Sequence, residues 1–128
     1  MNTLVKDWIK ALKSGEYTQG QGSLARYCGK QEPHAHCCLG VLADISGEQW
    51  QPYTFFLPAH IRIKANLRSD NGVFHVPSLP KRLQKQVVAL TGDKTLCSLS
   101  KLNDQGASFD LIADVIKAEP SQLFHTME

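Results

Sequence analysis

Residues 37–45 read CCLGVLADI, an almost wholly apolar run that ends at Ser46 and Gly47. Residues of these types are mostly found inside proteins, and the small ones among them allow close packing. A continuous apolar run bounded by turn residues favours a fully buried element. We therefore predict a buried helix over residues 37–45.

A second helix is predicted at the N-terminus of the chain. Thr3 is a suitable N-cap and Gly15 a suitable C-cap for it. The apolar residues between the two caps recur at helical spacing and lie on one stripe. That stripe consists of Leu4, Trp8, Ile9 and Leu12. We expect Trp8 to anchor the core.

Two further helices are predicted between residues 78 and 102. Ser78 is a suitable cap for the first, which has Pro80 in its first turn and ends before Gly92. Its apolar residues at helical spacing are Leu83, Val87 and Leu90. The second is a short helix over residues 95–102.

Strand patterns occupy two other regions. Residues 24–27 indicate a short strand after a glycine-rich loop, and residues 60–65 alternate between apolar and polar side chains. Residues 69–72, Ser-Asp-Asn-Gly, tolerate the positive φ angles of a tight turn, and residues 73–76 would form the return strand. The pattern predicts a hairpin between residues 60–65 and 73–76.

These elements predict an α+β fold, a mainly helical small domain with a short β-hairpin or small antiparallel sheet. The chain has 128 residues, which is near the commonest size of one domain, so residues 1–128 are expected to fold as a single globular unit. No apolar stretch approaches the roughly 18 residues that cross a bilayer, and the N-terminus lacks a signal-peptide pattern. We expect no membrane association and no secretion.

The net charge of +2 makes the chain mildly basic, well short of the charge that indicates non-specific nucleic-acid binding. An anionic small molecule remains an acceptable partner. The four cysteines include the adjacent pair Cys37 and Cys38, which is awkward for a disulfide framework. We interpret all four cysteines as thiols.

Soft and borderline zinc ligands cluster at Cys28, His34, His36, Cys37 and Cys38. Their spacing matches no common structural zinc pattern, and a buried cysteine pair at the start of a helix also behaves as small apolar packing. We expect no metal and no cofactor. Cys37 at a helix N-terminus beside His36 is also a candidate thiol nucleophile, although packing accounts for the same residues.

Residues 106–113, GASFDLIA, resemble the first helix of a helix-turn-helix motif, with Ser108 as its N-cap. The helix would run over residues 109–118 and stop at Pro120. The segment after Pro120 is short and ends in an acidic residue, which suits it poorly to lie against phosphates. An amphipathic helix with a capped start accounts for the same pattern, so we expect no specific nucleic-acid binding.

Two kinds of residue qualify as ligand contacts. Asn103 and Asp104 offer donors and acceptors for ribose hydroxyls or a base edge, although Asn, Asp and Gly are also ordinary turn residues. Aromatic side chains between residues 50 and 56 are able to stack on a base, although aromatics in a chain of this size more often lie in the core. These aromatics are Trp50, Tyr53, Phe55 and Phe56.

Three segments together carry a resemblance to a known group of proteins. They are W-x-x-A-L-x-S-G-x-Y-x-Q-G over residues 8–20, C-C-L-G-V-L over residues 37–42 and L-N-D-x-G-x-S-F-x-x-I-A over residues 102–113. In this order they resemble a group of small bacteriophage-encoded proteins, and the match spans nearly the whole chain. Residues 28–36 depart from the pattern, as an insertion before the paired cysteines.

The resemblance implies a phage protein that acts in the cytoplasm of the bacterial host. Some small phage proteins counter host defence by sequestering nucleotide immune signals, as the anti-Thoeris and anti-CBASS sponges do, and this step is an analogy. It leads us to expect a homo-oligomer that binds an anionic, nucleotide-like ligand without catalysis. A small helix-turn-helix regulator and a protein inhibitor of a host defence enzyme are the alternatives.

Phosphates of such a ligand need cationic donors, and its ribose and base need planar or bidentate partners. Polar or stacking-capable residues of the three motif segments, and arginines of the strands predicted over residues 24–27 and 60–65, meet these needs. The residues expected to bind the ligand are Tyr17, Gln19, Arg26, Arg62, Asn103 and Asp104.

Overall fold

The computed structural model describes residues 1–26, 35–51 and 54–125. Within these residues the chain forms six α-helices and two pairs of short antiparallel strands. The helices are α1 (Thr3–Lys13), α2 (Cys38–Ile45), α3 (Ala59–Lys64), α4 (Lys81–Thr91), α5 (Leu99–Asp104) and α6 (Phe109–Lys117). The strands are β1 (Ala25–Arg26), β2 (Ala35–His36), β3 (Val73–His75) and β4 (Leu96–Ser98). The predicted class, a mainly helical α+β fold with a small antiparallel sheet, is confirmed.

The predicted buried helix is α2, whose residues from Cys38 to Ala43 are all buried. Its backbone lies so close to a neighbouring segment that a Cβ atom on Gly40 would stand 1.8 Å from the carbonyl oxygen of Leu24. The small residues of this run therefore let a loop pack directly against the helix.

Helix α1 packs against α2 and α6. Trp8 is fully buried, as predicted, and its indole Nε1 donates to the carbonyl oxygen of Cys38 over 2.8 Å. The helix begins one residue earlier than predicted, because the side chain of Asn2 accepts from the backbone N–H of Val5 at 2.8 Å. Thr3, predicted as the N-cap, is the first residue of the helix itself.

The prediction of a strand over residues 60–65 is wrong, because this segment forms α3. Ile61 and Ala65 are fully buried, whereas Ile63 between them is 66% exposed. Residues four apart share one face of a helix, and they also share one face of a strand. In so short a segment the two patterns coincide, and only Ile63 distinguishes them.

The predicted hairpin between residues 60–65 and 73–76 is also wrong. β3 pairs with β4 instead, with Phe74 opposite Cys97. The turn before β3 is present, and Gly72 has a φ of +72°. Residues 95–102, predicted as one short helix, divide into β4 and the start of α5. The side chain of Ser98 caps α5 by accepting from the backbone N–H of Lys101 at 3.1 Å.

Helices α4 and α6 occupy their predicted positions. The side chain of Ser108 caps α6 by accepting from the N–H of Leu111 at 3.1 Å, as predicted. Pro80 stands at the N-cap of α4 without a side-chain hydrogen bond, whereas Ser78, the predicted cap, lies in a preceding 3-10 turn. Gly92 ends α4 with a φ of +75°. Among the described helices none has the length and apolar character needed to cross a membrane.

Candidate functional site

The loop over residues 19–22 is attached to α5 through a buried side chain, that of Asn103. The Oδ1 atom of Asn103 accepts from the Nε2 of Gln19 at 2.9 Å and from the backbone N–H of Cys38 at 3.1 Å. Its Nδ2 atom donates to the carbonyl oxygen of Gly20 at 2.7 Å. We call these residues, together with Ala107, which accepts a second bond from Gln19 at 2.7 Å, the Asn103 junction.

Two of the predicted ligand residues, Gln19 and Asn103, therefore use their side-chain amide groups in hydrogen bonds within the protein. Asn103 is fully buried. Buried polar groups in proteins are almost always hydrogen-bonded, and this junction satisfies that rule with side chains that join three separate segments. These two residues position the loop rather than face an open cleft.

Asp104, the next residue along α5, is exposed, and its Oδ1 accepts from the backbone N–H of Gly22 at 3.0 Å. It lines a cleft of about 140 Å³ between the loop, α5 and the turn before β3. We call it the Phe cleft. Its lining residues are Gly22, Ser23, Leu24, Cys37, Leu39, Phe55, Phe56, Asp70, Asn71, Ser100 and Asp104.

Phe55 and Phe56 are the largest apolar side chains at this cleft, and each is 70% exposed. Adjacent exposed aromatic rings mark a binding surface more often than scattered single apolar residues do. Sequence reasoning recognised that these rings can stack on a base but left them out of the predicted site, because residue type alone does not distinguish exposed rings from core rings.

Carboxylates dominate the charge of the cleft. Asp70 and Asp104 both line it, and Asp70 pairs with Arg62, whose Nε lies 3.2 Å from the Asp70 Oδ1. The predicted ligand residue Arg62, on α3, therefore contacts a lining residue of the cleft but does not itself line it. Ser23, Asn71 and Ser100 add neutral polar groups. The arrangement suits a ligand that presents hydrogen-bond donors to the carboxylates and a flat ring to the phenylalanines.

Tyr17 lies in a different environment. Its hydroxyl donates to the Oδ2 of Asp44 over 2.5 Å, and burial together with this hydrogen bond raises the pKa of Tyr17 above its usual value. Its ring meets the imidazole of His36 edge-on, with centroids 5.1 Å apart. Tyr17 therefore joins α2 to β2 and does not line the Phe cleft.

His36 is buried beside Tyr17, and its Nε2 has no hydrogen-bond partner among the described residues. Burial lowers the pKa of His36, and the nearby charge of Asp44 partly opposes this effect. Desolvation disfavours the charged form of a histidine, so burial favours the neutral imidazole at this position.

Arg26 lies on β1, where its backbone is opposite Ala35 of β2. The side chain of Arg26, which was predicted to bind the ligand, lies outside the described part of the structure. Two of the candidate zinc ligands, Cys28 and His34, lie outside the described residues. In the described part of the chain no group of three potential metal ligands comes together.

Both cysteines of the pair take part in packing. The Sγ of Cys37 caps α2 by accepting from the backbone N–H of Gly40 at 3.4 Å, and the thiol of Cys38 donates to the carbonyl oxygen of Leu99 at 3.5 Å. Burial raises the pKa of both thiols. A catalytic thiol needs a lowered pKa, so the environment of Cys37 opposes the shift that a nucleophile requires.

Helix α6 buries the face predicted for it, which includes Phe109, Ile112 and Ala113. Residues 118–125 contain a turn and an isolated bridge from Phe124 to Leu67, and no helix follows α6 in that stretch. A helix-turn-helix motif that began at α6 would need its recognition helix there.

These observations define a mainly helical α+β domain with a small acidic and aromatic cleft. Residues 1–120 match the model of a family described as a domain of unknown function, DUF8296. The chain belongs to this family. No curated protein and no solved structure matches the chain at a significant level.

Proposed function

We propose that this protein binds a nucleotide-like ligand in the Phe cleft without catalysis. The observation that carries the proposal is the pair Phe55 and Phe56, each 70% exposed at the mouth of a polar cleft. A base that stacks on an aromatic ring contributes on the order of 1–3 kcal/mol to binding, whichever base it is. Two adjacent rings supply a stacking platform for it.

The carboxylates of the cleft suit the sugar of such a ligand. Ribose hydroxyls donate hydrogen bonds, and ionised carboxylates only accept them. Bonds to a charged acceptor are stronger than bonds between neutral groups. Asp104, one of the residues predicted from the sequence, is therefore assigned to the ribose, with Asp70 beside it.

The phosphates of the ligand would lie outside the cleft floor, because two carboxylates there repel them. Arg62 supplies a cation for them, because it forms an ion pair with Asp70, a lining residue of the cleft. The volume of about 140 Å³ is below the roughly 300 Å³ at which pockets for whole ligands begin. One ring system fits, and the rest of the ligand extends outward.

This limited volume also supports the expectation of a homo-oligomer, since a second copy would cover the part of the ligand that one cleft leaves exposed. The resemblance to small phage proteins supplies the biological setting: a protein in the cytoplasm of the bacterial host that sequesters a nucleotide immune signal. Sequestration requires tight binding and no chemistry, and burial raises the pKa of the Cys37 thiol, which opposes its use as a nucleophile.

The test is incubation of the purified protein with a panel of nucleotides, including ADP-ribose, cyclic dinucleotides and AMP. The bound fraction is isolated, released by heat and identified by chromatography. We expect one class of anionic nucleotide to be retained and released intact. Recovery of every nucleotide in the unbound fraction would refute sequestration, and release of cleaved products would reveal an enzyme.

A matched pair of arginine variants locates the site. Arg62→Ala is expected to weaken retention at least about tenfold, which corresponds to the loss of one charge-assisted contact. Arg68→Ala removes an exposed arginine that lines a different pocket and should retain the nucleotide like the unmodified protein. Equal retention by both variants would place the phosphates elsewhere.

A further inference from the structure

Helix α4 exposes a face that is positively charged at one end and apolar at the other. Lys81, Arg82 and Lys85 are exposed in its first half, and the helix contains no acidic residue. Further along the same face lie Gln86, Ala89 and Leu90, whereas Leu83 and Val87 on the opposite side are buried. We call the exposed residues the α4 face. They are Lys81, Arg82, Lys85, Gln86, Ala89 and Leu90.

None of the three cations of this face forms an ion pair with a carboxylate in the described residues. Elsewhere Lys13 pairs with Asp114 at 2.8 Å and Lys101 with Asp93 at 2.9 Å. The net charge of the whole chain is +2, so this helix alone carries more positive charge than the chain does. Helix α4 therefore carries a local excess of positive charge.

The placement of these cations disfavours the isolated helix. The N-terminus of a helix carries a partial positive charge, which cations in the first turn repel. Lys81 and Lys85 are four residues apart, a spacing at which like charges repel each other. The first turn has no acidic residue and no side-chain cap to offset these effects. A negatively charged partner would relieve both.

Apolar side chains next to the cations indicate the kind of partner. Ala89 and Leu90 are exposed on the second half of the helix, and Leu90 is 36% exposed. A nucleic-acid backbone has phosphates for the cations but nothing that gains from contact with leucine. An amphipathic protein segment with alternating acidic and apolar positions complements both halves of the face.

We propose that the α4 face docks an acidic amphipathic segment of a partner protein. Carboxylates of the segment pair with Lys81, Arg82 and Lys85, and its apolar side chains pack on Ala89 and Leu90. No residue of α4 lines the Phe cleft, so this interaction is independent of the proposed ligand site. Electrostatic complementarity of this kind sets orientation and association rate, and the apolar contact slows dissociation.

The probe for this surface is a labelled synthetic helical peptide with glutamates on one face and leucines beside them, whose binding is followed by fluorescence anisotropy. The triple change Lys81→Glu, Arg82→Glu and Lys85→Glu is expected to weaken binding at least about tenfold. A matched triple change, Lys6→Glu, Lys10→Glu and Arg68→Glu, replaces the same residue types at exposed positions elsewhere and should weaken it less than threefold. Circular dichroism checks that both triple variants fold. If the α4 triple variant does not fold, the single change Lys85→Gln replaces it, because it removes one charge without reversing any.

A separate experiment tests the apolar part of the α4 face. Leu90→Ser should weaken peptide binding about fivefold, as expected for the loss of a partly buried leucine contact. A peptide with serines in place of its leucines should bind at least tenfold more weakly. Equal binding of that peptide, equal effects of the two triple changes, or tighter binding of duplex DNA than of the peptide would each overturn the proposal.

Discussion

Asn103 and Asp104 are neighbours on α5, yet they belong to two regions of opposite character. Asn103 is fully buried and bonded to Gln19, Gly20 and Cys38. Asp104 is exposed and lines the Phe cleft, where Phe55 and Phe56 stand largely in solvent. One end of one short helix thus holds the fold together on one side and contributes to a candidate site on the other.

The two regions differ in whether their interacting groups already have partners within the chain. In the Asn103 junction the polar groups have found partners within the chain, so removing one of them leaves others unsatisfied. In the cleft, aromatic surface remains exposed and is available to another molecule. Changes at the junction should therefore reduce stability, whereas changes at the cleft should reduce binding alone.

The largest effect is expected at the close contact between α2 and Leu24, a lining residue of the cleft. In Gly40→Ala the new Cβ would meet the carbonyl oxygen of Leu24, which lines the cleft and packs against α2. Backbone must move to relieve such an overlap, so we expect a loss above about 4 kcal/mol in the free energy of unfolding, or failure to fold. Urea denaturation followed by circular dichroism measures it.

Gly47→Ala is the control for this change. No neighbouring atom lies within 4 Å of a Cβ at Gly47, but its φ is +76°. The backbone strain alone should cost about 1 kcal/mol. Similar losses in the two variants would mean that the close approach at Gly40 is not what makes that position sensitive.

The second effect separates the two neighbouring residues. Asn103→Ala leaves the N–H of Cys38 and the carbonyl oxygen of Gly20 without their partner, and we expect a loss of about 2–5 kcal/mol in unfolding free energy. Asp104→Ala removes an exposed side chain and should cost less than about 1 kcal/mol. Chemical denaturation of both variants would contradict the comparison if their losses were equal.

The third effect should appear in binding and not in stability. The change of Phe55 and Phe56 to serine removes exposed rings, so the melting temperature should stay within about 2 °C of the unmodified protein. Affinity for the nucleotide retained in the panel should fall about tenfold to a hundredfold, as isothermal titration calorimetry would measure. Leu96→Ser, an exposed change outside the cleft, should leave affinity unaltered. Unchanged affinity in the double variant would remove the phenylalanines from the site.

The smallest effect is the pH dependence of stability that the buried His36 causes. Burial lowers the pKa of His36 in the folded state below the value of about 6.5 in the unfolded chain. Between these two values the unfolded state binds more protons, so stability falls as the pH falls through this window, by at most about 1.4 kcal/mol per pH unit. His36→Gln should flatten this dependence in denaturation curves recorded from pH 7 to pH 5. His125→Gln, at an exposed position, should preserve it.

Part of the architecture was predictable from local patterns. The helices α1, α2 and α6 lie where apolar spacing and caps place them, and the core position of Trp8 follows from its stripe. The strand predicted over residues 60–65 failed because a segment this short satisfies both periods. Phe74 of β3 found its partner at Cys97, far along the chain, rather than in the preceding segment.

Two residues of or beside the candidate site were within reach of sequence reasoning, because their chemistry suits a polar ligand. They are Asp104, which lines the cleft, and Arg62, which pairs with Asp70. The structural role of Asn103 was not, since it depends on where Gln19, Gly20 and Cys38 come together. The sequence by itself determined α1, α2, α4 and α6 and the residues that each buries, because spacing and capping act within a few residues. Tertiary structure alone decided which strands pair, that Asn103 is buried and that Phe55 and Phe56 are exposed, because pairing and burial depend on contacts between segments distant in the chain.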